Sequence, residues 1–391
     1  MKLRMGTTLV VVSVLCSVNS FAEPTNKELW ETVQKQQKEI EELKKSQQDA
    51  EKKLDLTADA LESSDSSSSK SSEWTNKTRI GGYGELHYNN FENSDDQVDA
   101  HRFVMYISHD YSDSVKFFSE WELEHSLAGE GEPGEVELEQ AFIEWQFAQN
   151  HALIAGQFLV PVGILNETHE PDTFYGVERN RVENSIVPTT WWETGAMLQG
   201  ELAAGLSYNL AIHSGLAVAD GGTVRGGRQK SAQATANDLA YTARVKYTGI
   251  AGLELGATLQ LQEEITQGAA AADSSAMLTE VHAIYQTGGF GLRAMYADWS
   301  IDGEGFDSVG RDSQTGWYLE PSYRFSEKFG AFVRMSSWNN EAGLADSQDN
   351  ETLDYGFNFW LTPQVVFKVD YQDASEYNEN DSLNLGIGWS Y

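Results

Sequence analysis

The sequence predicts an all-β fold: a 16-stranded antiparallel transmembrane β-barrel preceded by an N-terminal α-helical coiled-coil segment. Three observations predict it. Short segments of alternating hydrophobicity fill Arg79 to Tyr391. Their connections are short and long in strict turn. Apart from a stretch near the N-terminus, no apolar run is long enough for a membrane helix. A barrel escapes hydropathy detection in this way because only every second residue faces lipid.

The chain divides at 1–22, 23–62, 63–78 and 79–391. Met1–Ala22 reads as a secretory signal, with Lys2 and Arg4 at its charged start, Thr8–Val18 as its apolar middle, and the small residues Ser20 and Ala22 before the cut. From 23 to 62, Leu29, Val33, Gln36, Ile40, Leu43, Gln47, Ala50, Leu54, Thr57 and Leu61 recur at steps of three and four. Gln36, Gln47 and Thr57 break this heptad seam, and Glu and Lys fill the remaining positions. The pattern fits a self-associating periplasmic coiled coil of two or three strands, or a single amphipathic helix. Ser63–Ser72 is serine-rich, nearly devoid of apolar residues, and reads as a flexible linker.

Within the barrel region, the last segment alternates most cleanly. Leu383, Leu385, Ile387, Trp389 and Tyr391 occupy one face, and Ser382, Asn384, Gly386, Gly388 and Ser390 the other. The apolar set is expected to face lipid and the polar set the lumen. Likewise Phe117, Trp121 and Leu123 oppose Lys116, Glu120, Glu122 and Glu124. Leu353, Tyr355, Phe357, Phe359 and Leu361 oppose Asp354, Asn358 and Trp360. A soluble sandwich also alternates, but its inner faces would not carry charges.

Seven short connections, such as Tyr111–Ser114 and Phe325–Lys328, alternate with eight longer polar ones that begin with Asn89–Asp99. Short turns on the periplasmic side and long loops outside are the rule for such barrels. An even strand number places both barrel ends in the periplasm, beside the coiled coil. Aromatic residues near strand ends, among them Tyr83, Tyr88, Tyr106, Trp145, Tyr208, Tyr247 and Trp317, suit interfacial girdles.

The chain carries 60 acidic against 27 basic residues, which argues against a nucleic-acid partner. Its acidic loops suit either divalent cations among lipopolysaccharide phosphates or plain solvation. Cys16 is the single cysteine and lies inside the leader, so the mature chain has no disulfide framework. The histidines lack ligand spacing, and no metal centre or cofactor is read from them. His125–Ser126 and His213–Ser214 are adjacent on strands, so each pair points to opposite faces; no enzymatic dyad is read. Gly81, Gly82 and Gly84 are not followed by a helix, so they read as relief of strand crowding and not as a phosphate cradle.

Ala141–Leu202 contains AFIEWQF, LIAGQFLVPVGILNET, FYGVERNRVENSIVP and ETGAMLQGEL. With the turn Gly156–Phe158, Pro161, Gly163, this stretch resembles the phosphate-selective porin O/P family. The resemblance implies a sixteen-stranded barrel, usually trimeric, and an anion or phosphate pathway. In porins of this size the third external loop folds into the lumen. Here that connection is Leu159–Trp192, the longest, and the resemblance points to its Arg179 and Arg181 as eyelet residues. The other reading has these arginines pinning the loop through Glu178, Glu183 or Glu193. Strand alternation sends Arg244, Arg293, Arg324, Arg334 and Lys368 inward together with Glu120, Glu254 and Glu320. The lumen so sorted is mixed in charge, more acidic than a phosphate-selective pore. Its opposed charges also suit a transverse field that orients dipolar solutes. Trp389 and Tyr391 look like the C-terminal assembly signal general to outer-membrane proteins.

The expected function is passive diffusion of small hydrophilic solutes or ions through an outer-membrane porin of a Gram-negative cell. It implies lipid and lipopolysaccharide contact and a homotrimer. The alternative is an envelope tether or adhesin whose coiled coil contacts peptidoglycan.

Overall fold

The computed structural model describes residues 75–270, 272–374 and 381–391. The expected leader, the coiled coil and the linker up to residue 74 lie outside the described residues.

Sixteen strands follow one another among the described residues. They are β1 (Thr78–Phe91), β2 (Gln97–Asp110), β3 (Val115–Glu124), β4 (Val136–Ala148), β5 (His151–Leu159), β6 (Trp192–Ala203), β7 (Leu206–His213) and β8 (Ala240–Ile250). The second half comprises β9 (Leu253–Gln262), β10 (Ser275–Thr287), β11 (Phe290–Asp302), β12 (Ser313–Arg324), β13 (Phe329–Asn339), β14 (Asn350–Thr362), β15 (Val365–Ala374) and β16 (Ser382–Ser390). Each strand pairs with its sequence neighbours, and β1 pairs antiparallel with β16, so the sheet closes on itself. Closure satisfies every ladder position and leaves no strand edge.

Alternation separates the faces as the sequence predicts. On β14, Leu353, Tyr355, Phe357, Phe359 and Leu361 are 38–50% exposed, while Asp354, Asn358 and Trp360 are at most 6% exposed. The first set forms part of an apolar belt around the outside, and the second points inward. The girdle reading fails at Tyr83 and Tyr106. Tyr83 is fully buried inside, its ring edge-on to His169 at 5.9 Å, and Tyr106 reaches Glu170 in the lumen. Both share the inward parity of Glu85 and Glu120.

Several strands run further than expected. The first long connection is 92–96 and not Asn89–Asp99, because Asn89 still pairs with Gln97. Where both faces are polar the alternation vanishes from the sequence, while the backbone ladder continues unaffected.

Closure depends on small residues opposite large ones. Gly82 and Tyr391 exchange backbone hydrogen bonds of 3.0 and 2.8 Å. A Cβ on Gly84 would lie 2.5 Å from the Trp389 indole, and one on Gly82 would lie 2.9 Å from the Tyr391 hydroxyl. The glycines of β1 therefore leave the space that the aromatic side chains of the last strand fill. Gly84→Val is expected to destabilise the seam by about 1–3 kcal/mol, the usual cost of overpacking. The measurement is the midpoint of urea unfolding for the detergent-folded barrel, read from the folded band on unheated electrophoresis.

Candidate functional site

The third long connection, 160–191 (hereafter loop L3), folds into the barrel as the sequence predicts. Its backbone runs across the lumen and meets both walls. Val177 N–H donates to Asp370 on β15 at 2.6 Å, Arg293 of β11 donates to the Thr173 carbonyl at 2.8 Å, and Arg334 of β13 donates to the Tyr175 carbonyl at 3.0 Å. Further along the same arc His87 of β1 meets Glu178 at 3.1 Å, and on the far side Arg244 of β8 pairs with Glu167.

A buried carboxylate organises the loop from within. Asn180 caps the short helix α1 (Arg181–Ser185), accepting from Val182 N–H at 2.8 Å and Glu183 N–H at 3.3 Å. That turn aims Glu183 inward, where it is fully buried. Its Oε2 accepts the N–H groups of Ile164 and Leu165 at 3.0 and 2.5 Å, and its Oε1 accepts the Tyr318 hydroxyl at 2.8 Å. Burial pushes the Glu183 carboxyl upward, and the hydrogen bonds from Leu165 and Tyr318 counter it. Gly163 permits this approach: its φ is +70°, and a Cβ there would sit 2.8 Å from Glu183 Oε2. The Pro161-x-Gly163 turn thus has a mechanical role, bending the chain over a carboxylate from its own loop.

A second infolded connection, 214–239 (loop L4), packs on the first. Leu216, Val218 and Val224 join Val160, Val162, Ile186 and Trp191 of L3 in one apolar cluster with Leu278, Trp299 and Tyr318 of the wall. Burying each such side chain contributes about 1.5–3 kcal/mol. This part of the lumen is therefore a packed core. Alternation alone predicts a polar interior, so this core is not visible from strand parity.

The remaining open space beside L3 is a cavity of about 300 Å³. Its wall side is rich in carboxylates and imidazoles, with Glu85, His87, His101, Glu124, Glu137 and Glu139 from β1–β4, the turn at His125, and one cation, Arg102, which pairs with Glu85 and Glu122. Its loop side is cationic: Arg179 and Arg181 from L3, and Arg225, Arg228 and Lys230 from L4. Arg179 and Arg181 both line this cavity. Neither pairs with Glu178, Glu183 or Glu193. Arg179 donates to the Thr190 hydroxyl at 2.6 Å, and Arg181 reaches Gln372 at 3.4 Å. Arg225 is held by the carbonyls of Asn184 and Thr189, and Arg228 by that of Thr190. Their direct partners are neutral, and the carboxylates of Glu124, Glu135, Glu137 and Glu139 act on Arg228 only through space. Burial, followed by the nearby charge of Arg228, pushes Arg225 down to about 10. Nε and Nη2 of Arg179, and Nε of Arg181 and Arg228, have no protein partner.

The strand cations serve other ends. Arg244 is buried, paired with Glu167 of L3 and bonded to Asn209. Arg334 pairs with Glu320 at 3.1 Å, and Lys368 lies 3.7 Å from the Phe174 ring. These three brace L3 against the wall. Arg293 and Arg324 instead line a second cavity of about 270 Å³ beneath L3, where Arg324 stacks 4.2 Å over Trp360 and donates to the Glu327 carbonyl. Glu254 meets Lys246 at 3.6 Å and His282 at 3.5 Å, away from the L3 cavity. Glu120 accepts from Gln140 at 2.6 Å. His213 meets Thr242, and Ser214 donates to Glu193, so that pair forms no dyad.

Sequence reasoning missed Arg225, Arg228 and Lys230, although RGGRQK is a cationic run in an acidic chain. It also missed Glu137 and Glu139. Register shifts between Glu120 and Trp121 against β4, a β-bulge that turns Glu139 and Glu137 inward on the strand that also sends Gln140 inward.

No protein-family model matches the chain. An uncharacterized protein of Aquifex aeolicus (strain VF5) is 28% identical over 353 residues, 80% of this chain and 79% of that protein. Among solved structures, Salmonella typhi OmpF in complex with daunomycin aligns with a TM-score of 0.60 at 13% identity, over 80% of this chain and 97% of that one. The anion-selective porin from Comamonas acidovorans gives 0.58 at 10%, over 80% and 99%. The outer-membrane channel DcaP of Acinetobacter baumannii gives 0.57 at 12%, over 80% and 97%. At these identities the likeness is one of fold, the closed sixteen-stranded barrel of the Gram-negative porins.

Replacing Glu183 by Ala strands the Ile164 and Leu165 N–H groups at about 1–3 kcal/mol for each buried donor. Limited proteolysis within 160–191 is expected to accelerate about tenfold or more. The barrel's own unfolding midpoint should stay close to that of the wild type.

Proposed function

We propose that the protein is an outer-membrane porin through which small hydrophilic solutes and ions diffuse passively. The observation that carries this reading is the cavity beside L3, walled by strand carboxylates and by loop arginines whose partners are neutral carbonyls and hydroxyls. A water path flanked in this way has a transverse field, and field lines concentrate where low-dielectric walls narrow it. The external apolar belt suits lipid, and the barrel ends lie on the side of the short turns, since Thr78 pairs with His109 next to the 111–114 turn. A homotrimer in contact with lipopolysaccharide is the assembly this reading adopts.

The selectivity we assign is a preference for anions. Arg179, Arg181 and Arg228 keep guanidinium N–H groups without a protein partner, and such groups match carboxylate and phosphate oxygens. Arg293 and Arg324 continue the cationic line in the cavity beneath. The motif resemblance to phosphate-selective porins agrees with this, and the acidic wall works against it.

Reversal potentials across planar bilayers in a salt gradient test the assignment. Wild type should favour anions. Arg179→Ala combined with Arg228→Ala should at least halve the anion-to-cation permeability ratio, and Glu124→Gln with Glu137→Gln should raise it. An unchanged ratio in the arginine variant would remove L3 and L4 as the selectivity element.

A further inference from the structure

Deep in the wall, three side chains from three elements converge. Glu120 is on β3, Glu139 is at the bulge of β4, and His169 is on L3. Each is at most 2% exposed. His169 Nε2 lies 3.6 Å from Glu120 Oε1 and 3.5 Å from Glu139 Oε2. All three atoms are buried without a hydrogen-bond partner. The other ends of His169 and Glu120 are better provided for. His169 Nδ1 lies 3.2 Å from the Asn166 carbonyl, and Gln140 donates to Glu120 Oε2 at 2.6 Å.

We propose that Glu120, Glu139 and His169 bind a borderline divalent cation of the Zn²⁺ class, which staples L3 to the barrel wall. A backbone carbonyl facing Nδ1 fixes the proton there and turns the Nε2 lone pair toward the two carboxylates, as in metal-bound histidines whose other ring N–H donates to a carbonyl. In tetrahedral zinc sites, ligand distances of about 2.0–2.1 Å place ligand atoms about 3.3–3.4 Å apart, close to the spacings found. Charge agrees: two buried carboxylates and a neutral imidazole are balanced by one dication, and no hydrogen bond joins His169 Nε2 to either carboxylate. The mixed nitrogen and oxygen set disfavours Mg²⁺ and Ca²⁺, which take oxygen shells. Two neighbouring groups lack this character. In Asp99–His101–His125, Arg102 donates to His101 Nε2 at 2.9 Å, so His101 Nδ1 carries the proton toward Asp99. In Glu122–Glu124–Glu137, Arg102 and Lys230 already supply the positive charge. Ligand spacing in the sequence hides the site because a long loop and a bulge bring its members together.

The test uses the full chain folded in detergent, stripped with EDTA, dialysed and titrated with ZnCl₂ by calorimetry, with bound zinc read by mass spectrometry. The wild type should take up one tight equivalent per chain that excess Mg²⁺ does not displace. His169→Ala and the nearly isosteric Glu139→Gln should each weaken it tenfold or more, while His125→Ala should retain it. Zinc should also slow proteolysis of 160–191 in the wild type and not in Glu139→Gln. Equal zinc binding by wild type and Glu139→Gln, or loss of the tight equivalent in His125→Ala alone, overturns the proposal. So does a wild type without a tight equivalent.

Discussion

Two backbone hydrogen bonds between Gly82 and Tyr391 finish the pairing of β1 with β16, and the whole wall depends on that seam. In a lipid-facing sheet no water reaches an unpaired edge, so the ladder must meet itself. The sequence meets the requirement with small residues at one end and large ones at the other. Gly82 and Gly84 make room for the rings of Tyr391 and Trp389. Once the circle is closed, parity decides the rest, sending apolar side chains out and polar ones in.

The lumen then poses its own problem. It is too wide to be filled by strand side chains, and two long connections enter it. L3 carries the buried carboxylate Glu183 beneath the left-handed turn at Gly163, and L4 seals the apolar cluster around Trp191 and Trp299. The strand cations Arg244, Arg334 and Lys368 are drawn into bracing this insert. Beside the insert, between it and β1–β4, one cavity remains open. There the loop arginines contact neutral oxygens, while the wall carboxylates share their side with Arg102 and three imidazoles.

The fold was largely legible because a barrel advertises itself through period two and through the rhythm of its turns. The strand number and the order follow from those signals, and the infolded third loop from the likeness to porins of this size. Legibility failed where physics departs from strict alternation. Strands outlast their hydrophobic pattern at the external ends, as at Asn89 and Gln97. The bulge opposite Glu120 reverses the parity of Glu139. Trp299 and Leu278 face inward against a loop core instead of water. The role of Arg179 and Arg181 was undecidable from sequence, since the question was which carboxylates lie close in space. Glu178 and Glu183 turn to other donors, and that leaves the arginines to the cavity.

The account stands on the lumen being a continuous water path despite its packed insert. Single-channel recording of the purified full-length chain in a planar bilayer is the most direct measurement. The account predicts stepwise conductance increments of uniform size as channels insert, absent when heat-unfolded protein is added. Folded barrels that insert into the bilayer without any conductance step would contradict it.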